Sequence, residues 1–136
     1  MRRTAFAVLL SLAAASCQDR GPRALVLVDG SGAAHAASVT ARASQFEHLR
    51  ARTVRVLPVG TPADAIQLAR RGEADVAIVP ENAPLDDFVT SSHGTDAGVV
   101  SLDGSSVRVL EVNAAQHPKV DSAGAKSLAM FFAHGE

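Results

Sequence analysis

The stretch from Arg52 to Pro80, RTVRVLPVGTPADAIQLARRGEADVAIVP, leaves a chain few ways to fold. Val54, Val56, Leu57 and Val59 read as a strand rich in β-branched residues. Thr61 follows as a hydroxyl N-cap, Pro62 suits the first helical position, and Asp64 puts a negative charge where the helix dipole favours it. Ala65, Ile66, Leu68 and Ala69 supply the apolar stripe, Arg70 and Arg71 close the last turn, and Gly72 stops the helix. Asp75 leads into Val76-Ala77-Ile78-Val79, a continuous apolar run of the kind buried on both faces of a sheet. Two such strands joined by a helix make a right-handed βαβ unit.

The flanking segments extend this unit. Ala24 to Val28 reads as a strand that ends in Asp29-Gly30-Ser31-Gly32. His35 to Arg52 reads as a helix with Ala36, Val39, Ala43, Phe46 and Leu49 on one face. The result is β-α-β-α-β: an α/β fold with a mostly parallel sheet flanked by helices. Ala24 to Val28 is expected at the centre, between the strands at Val54 to Val59 and Asp75 to Val79, with Val26, Val56 and Ile78 almost fully buried. Glu81 to Thr90 reads as a short helix with Leu85, Phe88 and Val89 apolar. Ser91 to Ser106 is rich in Gly and Ser and reads as a loop with at most a short edge strand at Val99-Val100. Val107 to Val112 alternates enough to be an edge or antiparallel strand, and Asp121 to His134 is the closing helix, capped by Asp121 or Ser122.

At 136 residues the chain holds one domain with room for a core. A net charge of −1 gives no electrostatic footprint for nucleic acid, and the lack of Trp and Tyr removes the usual stacking platforms. The N-terminus reads as an address. Arg2 and Arg3 precede an apolar run from Ala5 to Leu12, too short to span a membrane as a helix, and small residues lead to Cys17. Cys17, the sole cysteine, has no disulfide partner in the chain, and the run before it resembles a bacterial lipobox. The reading is a lipoprotein signal over residues 1–17 with lipid on Cys17, against an ordinary signal peptide cleaved near Ala15. Gln18 after Cys17 favours the outer membrane by analogy, and residues 18–23 form a short tether. The five histidines are scattered, without the close pairs of metal sites, and His117-Pro118 reads as a structural turn. Ser31 lacks the context of a nucleophile elbow, so the residues make no case for an enzyme or a cofactor.

The central stretch resembles the core of bacterial tungstate-type substrate-binding proteins of ABC transporters, within the type II periplasmic-binding-protein fold. The matching residues are Phe46-Glu47, Val59-Gly60-Thr61, Ala69-Arg70-Arg71-Gly72 and Ala74-Asp75-Val76, in order. Val112-Asn113, His117-Pro118, Ala125-Lys126 and the ending Gly135-Glu136 are similar to the family's tail. Two departures stand out. Asp29-Gly30-Ser31-Gly32-Ala33-Ala34 replaces a hydroxyl-rich anion loop and adds a carboxylate, and Pro62 replaces a glycine. The family's second lobe is missing between the segments matching Pro80 and Val107, which leaves a one-lobed domain over residues 24–136 with a loop near 91–106.

The resemblance implies an oxyanion such as tungstate or molybdate as ligand and an ABC permease as partner. The residues that would hold the anion are Gly30, Ser31, Gly32, Gly60 and Thr61, at two helix N-termini where free N–H groups attract negative charge. That site is expected at the carboxyl ends of the first two strands, taken as the switch point of the sheet. Thr61 as a plain N-cap and Asp29-Gly30 as a plain turn is the competing reading. The functional alternative is an interaction or sensory lipoprotein that binds no ligand and uses the lobe as a docking surface.

Overall fold

Leu25–Asp29 (β1) lies between Val54–Pro58 (β2) and Val76–Pro80 (β3) and runs parallel to both, so the expected central order is the one observed. This computed structural model describes residues 23–135; the leader, Cys17 and residues 18–22 of the tether lie outside them. The helices are Ala36–Arg50 (α1), entered through a 3-10 turn at Ala33–His35, Pro62–Arg70 (α2) and Ser122–His134 (α3). Thr61 Oγ1 accepts the Asp64 N–H at 3.1 Å, and Asp121 Oδ1 accepts the Gly124 N–H at 3.0 Å, so both caps form.

Alternation along the strands separates two apolar layers. Leu25, Leu27, Val76, Ile78, Val107 and Val109 face α1 and α3 through Val39, Ala43, Phe46, Leu128, Ala129, Phe131 and Phe132. Val28, Ala77, Val79, Leu110 and Val112 face the other way, toward Ala65, Ile66 and Ala69 of α2 and toward Phe88. Helices therefore cover both faces of the sheet, and the fold is α/β.

The region near residues 91–106 is not a loop. Gly94–Leu102 (β4) is a nine-residue strand paired antiparallel to Ser105–Val112 (β5), in the order β2-β1-β3-β5-β4. Four strands therefore point one way and only β5 is reversed. A bulge between Asp96 and Gly98 hides the strand from period-two reading, because it spaces the inward residues as Ala97, Val100 and Leu102. Asp103 and Gly104 join the hairpin with φ of 52° and 81°, the two positive values that a two-residue type I′ turn demands. β5 is consequently internal, and β4 forms the edge.

Three further expectations are corrected. Glu81 to Thr90 forms turns rather than a helix, because Pro84 offers no N–H and Asp86 sits at a φ of 53°. Leu49 is 70 % exposed, since α1 packs over β2, the edge strand, and no further strand among the described residues lies beyond it. Ile78 is fully buried as expected, but Val56, on that same edge strand, and Val26, lining an open hollow with Gly72 and Ala74, are only half-buried.

Glu111 projects toward α3 from β5. Burial raises its carboxyl above the ordinary range, and Lys126 offsets part of the effect. The folded state thus holds this proton more tightly than the unfolded one. The associated stability is complete below the unfolded pKa of about 4.3 and declines as pH rises through the folded value. Glu111→Gln should therefore raise the urea midpoint at pH 7 and leave it almost unchanged at pH 4. An equal change at both values would mean that the effect is packing rather than charge.

Candidate functional site

In an open α/β sheet, ligands lodge where the winding reverses. The α1 connection from β1 covers one face and the α2 connection into β3 covers the other, so the reversal falls between the carboxyl ends of β1 and β3. This corrects the expectation that it lies between the first two strands. A crevice of about 430 Å³ opens there, lined by Ser31, His35, Pro80, Glu81, Asn82, Ser105, Ser106 and Val107. Hairpin β4–β5 supplies its far wall.

The loop after β1 is stitched from within. Asp29, only 3 % exposed, accepts the Ser31 N–H at 3.0 Å and the Ser31 hydroxyl at 2.5 Å through Oδ1. Gly30 N–H donates to Ile78 O at 2.8 Å, which ties the loop to β3. A Cβ at Gly30 would stand 2.8 Å from Ala65 Cβ and 3.2 Å from Pro62 Cα. Gly30 is therefore required by the start of α2, which packs directly against it. Gly30→Ala should destabilise the domain by about 1–3 kcal/mol through overpacking. A neutral result in thermal melts would show that α2 shifts freely at this contact.

The opposite rim is held by Asp103. Its carboxylate accepts the Ser38 hydroxyl at 2.8 Å and lies 3.2 Å from His35 Nδ1. Those two hydrogen bonds, Ser38 first, hold the Asp103 carboxyl below its ordinary range. The turn of the β4–β5 hairpin is thereby fastened to the start of α1, and the His35 ring is fixed at the mouth of the crevice.

Of the residues expected to hold an anion, only Ser31 lines the crevice. Its hydroxyl already donates to Asp29. Gly32 has a φ of 108° and open space around it, whereas Gly60 and Thr61 lie exposed beyond β2, with Thr61 acting as N-cap. Sequence reasoning missed Glu81, Asn82, Ser105 and Ser106, because 81–90 reads as helix and 91–106 as loop. The Asp103-Gly104 pair was the available signal for the hairpin that brings the serines in. Among the described residues these four side chains make no hydrogen bond to protein, and no Lys or Arg lines the crevice.

A second juxtaposition is also invisible in sequence. His93 Nδ1 lies 3.2 Å from His117 Nε2, and the rings stack at 5.4 Å with 23° between their planes. Among the described residues no group of three or more His, Cys, Asp or Glu converges.

No protein-family model and no curated protein matches the chain. A crystal structure of a conserved, functionally unknown protein from Vibrio parahaemolyticus RIMD 2210633 is similar to it, with a TM-score of 0.65 at 11% identity. The alignment covers 80% of this chain and 94% of that one. At that identity the likeness shows a shared fold.

Proposed function

We propose that this domain is a one-lobed, solute-binding-like module of the cell envelope, held by lipid at Cys17, that takes a small polar solute in the β1–β3 crevice. One observation supports the ligand reading. Glu81, Asn82, Ser105 and Ser106 line the crevice where the sheet reverses its winding, and none of their side chains makes a hydrogen bond to protein among the described residues. The lipid anchor rests on the leader pattern, and an ABC permease as recipient rests on the resemblance to tungstate-type binding proteins.

The electrostatics narrow the ligand class. Tungstate and molybdate are dianions, and here they would meet Glu81 at the rim and Asp29 behind Ser31, with no Lys or Arg in the lining. An uncharged or cationic solute bearing hydroxyl or amino groups suits these acceptors better. Calorimetric titration should therefore find a sugar, polyol or amine that binds more tightly than tungstate, molybdate, sulfate or phosphate. Asn82→Ala should weaken that ligand by about tenfold, the loss of one or two hydrogen bonds. Asp29→Asn combined with Glu81→Gln should improve oxyanion binding, less so as salt rises. Tungstate as the tightest ligand of the wild type would refute the charge argument.

A docking lobe that binds no solute is the second reading, and Leu49 favours it. This side chain borders a groove shared with Ser44, His48 and Phe131, a surface that none of the described residues covers. Failure of every solute at millimolar concentration would leave that reading alone.

A further inference from the structure

We propose that His93 and His117 form an acid-sensitive latch, whose ring-to-ring bond fastens the end of the 81–92 segment to the turn between β5 and α3. His93 Nδ1 and His117 Nε2 lie at a hydrogen-bonding distance of 3.2 Å, and the rings also stack at 5.4 Å. Such a bond needs an N–H on one ring and a bare nitrogen on the other. The neutral pair meets that condition, and so does a pair with one extra proton. With two extra protons both nitrogens are donors, and two positive charges face each other at contact distance. The latch then opens.

The segment it holds is tied at both ends. At the crevice, Glu81 N–H donates to Ser106 O at 3.0 Å. At the other end, His93 N–H donates to Phe88 O at 2.9 Å, and the His93 ring stacks on the buried Phe88 ring at 6.5 Å. Asn113 N–H donates to His93 O at 2.8 Å, His117 N–H to Asn113 O at 3.1 Å, and Asn113 Nδ2 to Ser92 O at 3.0 Å. The imidazoles thus close a link that the backbone has already aligned, and their repulsion acts on that end alone. His117 is also hemmed in from behind, since a Cβ at Gly72 would stand 2.7 Å from His117 Cβ. Its ring has no room to retreat toward the end of α2.

The surrounding charges work in the same direction. Arg71 and Lys119 line the hollow beside His117 and oppose further positive charge, and Glu73 lies 3.8 Å from Arg71. On the 81–92 segment Asp86 is exposed, and Asp87 is engaged by Arg70 at 3.0 Å and by the Ser91 hydroxyl at 3.2 Å. Asp96 of β4 is paired with Arg108, and Glu111 of β5 points to the other face, toward Lys126 of α3. Among the described residues no carboxylate bonds either ring. Burial first, and the neighbouring His93 second, lower the pKa of His117. Free imidazoles protonate near pH 6.5, so the open form takes up protons that the closed form does not. The latch is therefore complete above about pH 6.5 and weakens as pH falls below it.

The test is amide hydrogen exchange on the full chain, read as protection factors at pH 7.5 and pH 5.0. Protection at His93, Gly94, Asn113 and His117 should fall at least tenfold between the two, the effect of one proton excluded from the closed pair. Protection at Glu81, tied to Ser106, should change less than twofold. His117→Gln keeps a hydrogen-bonding side chain but takes no proton, so it should remove the pH dependence whatever it does to protection at pH 7.5. The triple variant His35→Gln, His48→Gln, His134→Gln should retain it, and circular dichroism checks that each variant is folded. Nitrogen-15 spectra of the imidazoles in the unmodified chain need no substitution. They should show the pair taking up its two protons in separate steps more than one pH unit apart. Protection lost evenly across the sheet, two rings that titrate independently in one step, or a pH dependence that survives in folded His117→Gln would each overturn the proposal.

Discussion

Replacing Asp75 by Ala should lower the stability of the domain by about 3–5 kcal/mol, the range for removing one partner from a buried charged network. Asp75 is 1 % exposed and stands at the foot of β3. Its carboxylate accepts Arg23 Nη1 at 2.9 Å and Nη2 at 2.6 Å, the Val26 N–H at 2.8 Å and the Asp121 N–H at 3.1 Å. One side chain therefore joins β1, β3, the entry of α3 and the first described residue of the chain. Asp121 passes the network on through its ion pair with Arg52, which in turn donates to Arg23 O. The ion pair with Arg23 is the lesser part, because the Arg23 side chain is 44 % exposed and solvent screens it. The two backbone donors matter more, since β1 and the start of α3 have no other acceptor for them among the hydrogen bonds described. Denaturant melts should thus find Arg23→Ala far milder than Asp75→Ala. Equal losses would assign the effect to the exposed ion pair and contradict this account.

Phe88→Ala should cost a comparable amount, about 3–5 kcal/mol, for a different reason. Residues 81–92 form turns with no helix or strand of their own, and Phe88 is their one fully buried side chain. It fills the layer shared with Ala69, Val79, Leu110 and Val112. Its ring also occupies the space that Gly94 leaves, and its carbonyl accepts the N–H groups of His93 at 2.9 Å and Gly94 at 3.3 Å. Truncation leaves a cavity under a segment that cannot collapse as a helix would, because Pro84 and the left-handed Asp86 constrain its backbone. Hydrogen exchange should show protection lost first in 88–94 and at the start of β4. A variant with unchanged exchange there, whatever its melting temperature, would show that the segment is held by other contacts.

The parts of this fold that were legible in sequence are those governed by local rules. Thr61, Pro62, Asp64 and Gly72 mark α2 because capping and helix stops depend on near neighbours, and the apolar runs of β1 and β3 announce strands buried on both faces. β4 was illegible because a bulge breaks its alternation and its exposed residues, Thr95, Asp96, Val99 and Ser101, mix polar side chains with a valine. Its pairing comes from β5, not from its own propensity. The half-buried Val56 and the exposed Leu49 follow from where the sheet ends, and the half-buried Val26 from the open hollow beside Gly72 and Ala74, neither of which is encoded in those segments. Of the crevice lining, only Ser31 was among the residues singled out from sequence for the site. Gly60 and Thr61 lie exposed outside the crevice, and the start of α2 packs on Gly30, a contact made by tertiary approach rather than by motif. Asn82, Ser106 and the His93–His117 pair meet through hairpin and turn geometry across long sequence separation.

The central claim is that solute is captured between β1 and β3 rather than between β1 and β2. Amide shift mapping by ¹H–¹⁵N NMR, with the tightest ligand from the calorimetric panel, tests it most directly. The account predicts the largest saturable shifts at Ser31, His35, Glu81, Asn82, Ser105 and Ser106, with Gly60 and Thr61 almost unmoved. Saturable shifts centred on Gly60 and Thr61, or none around the crevice at full occupancy, would contradict it.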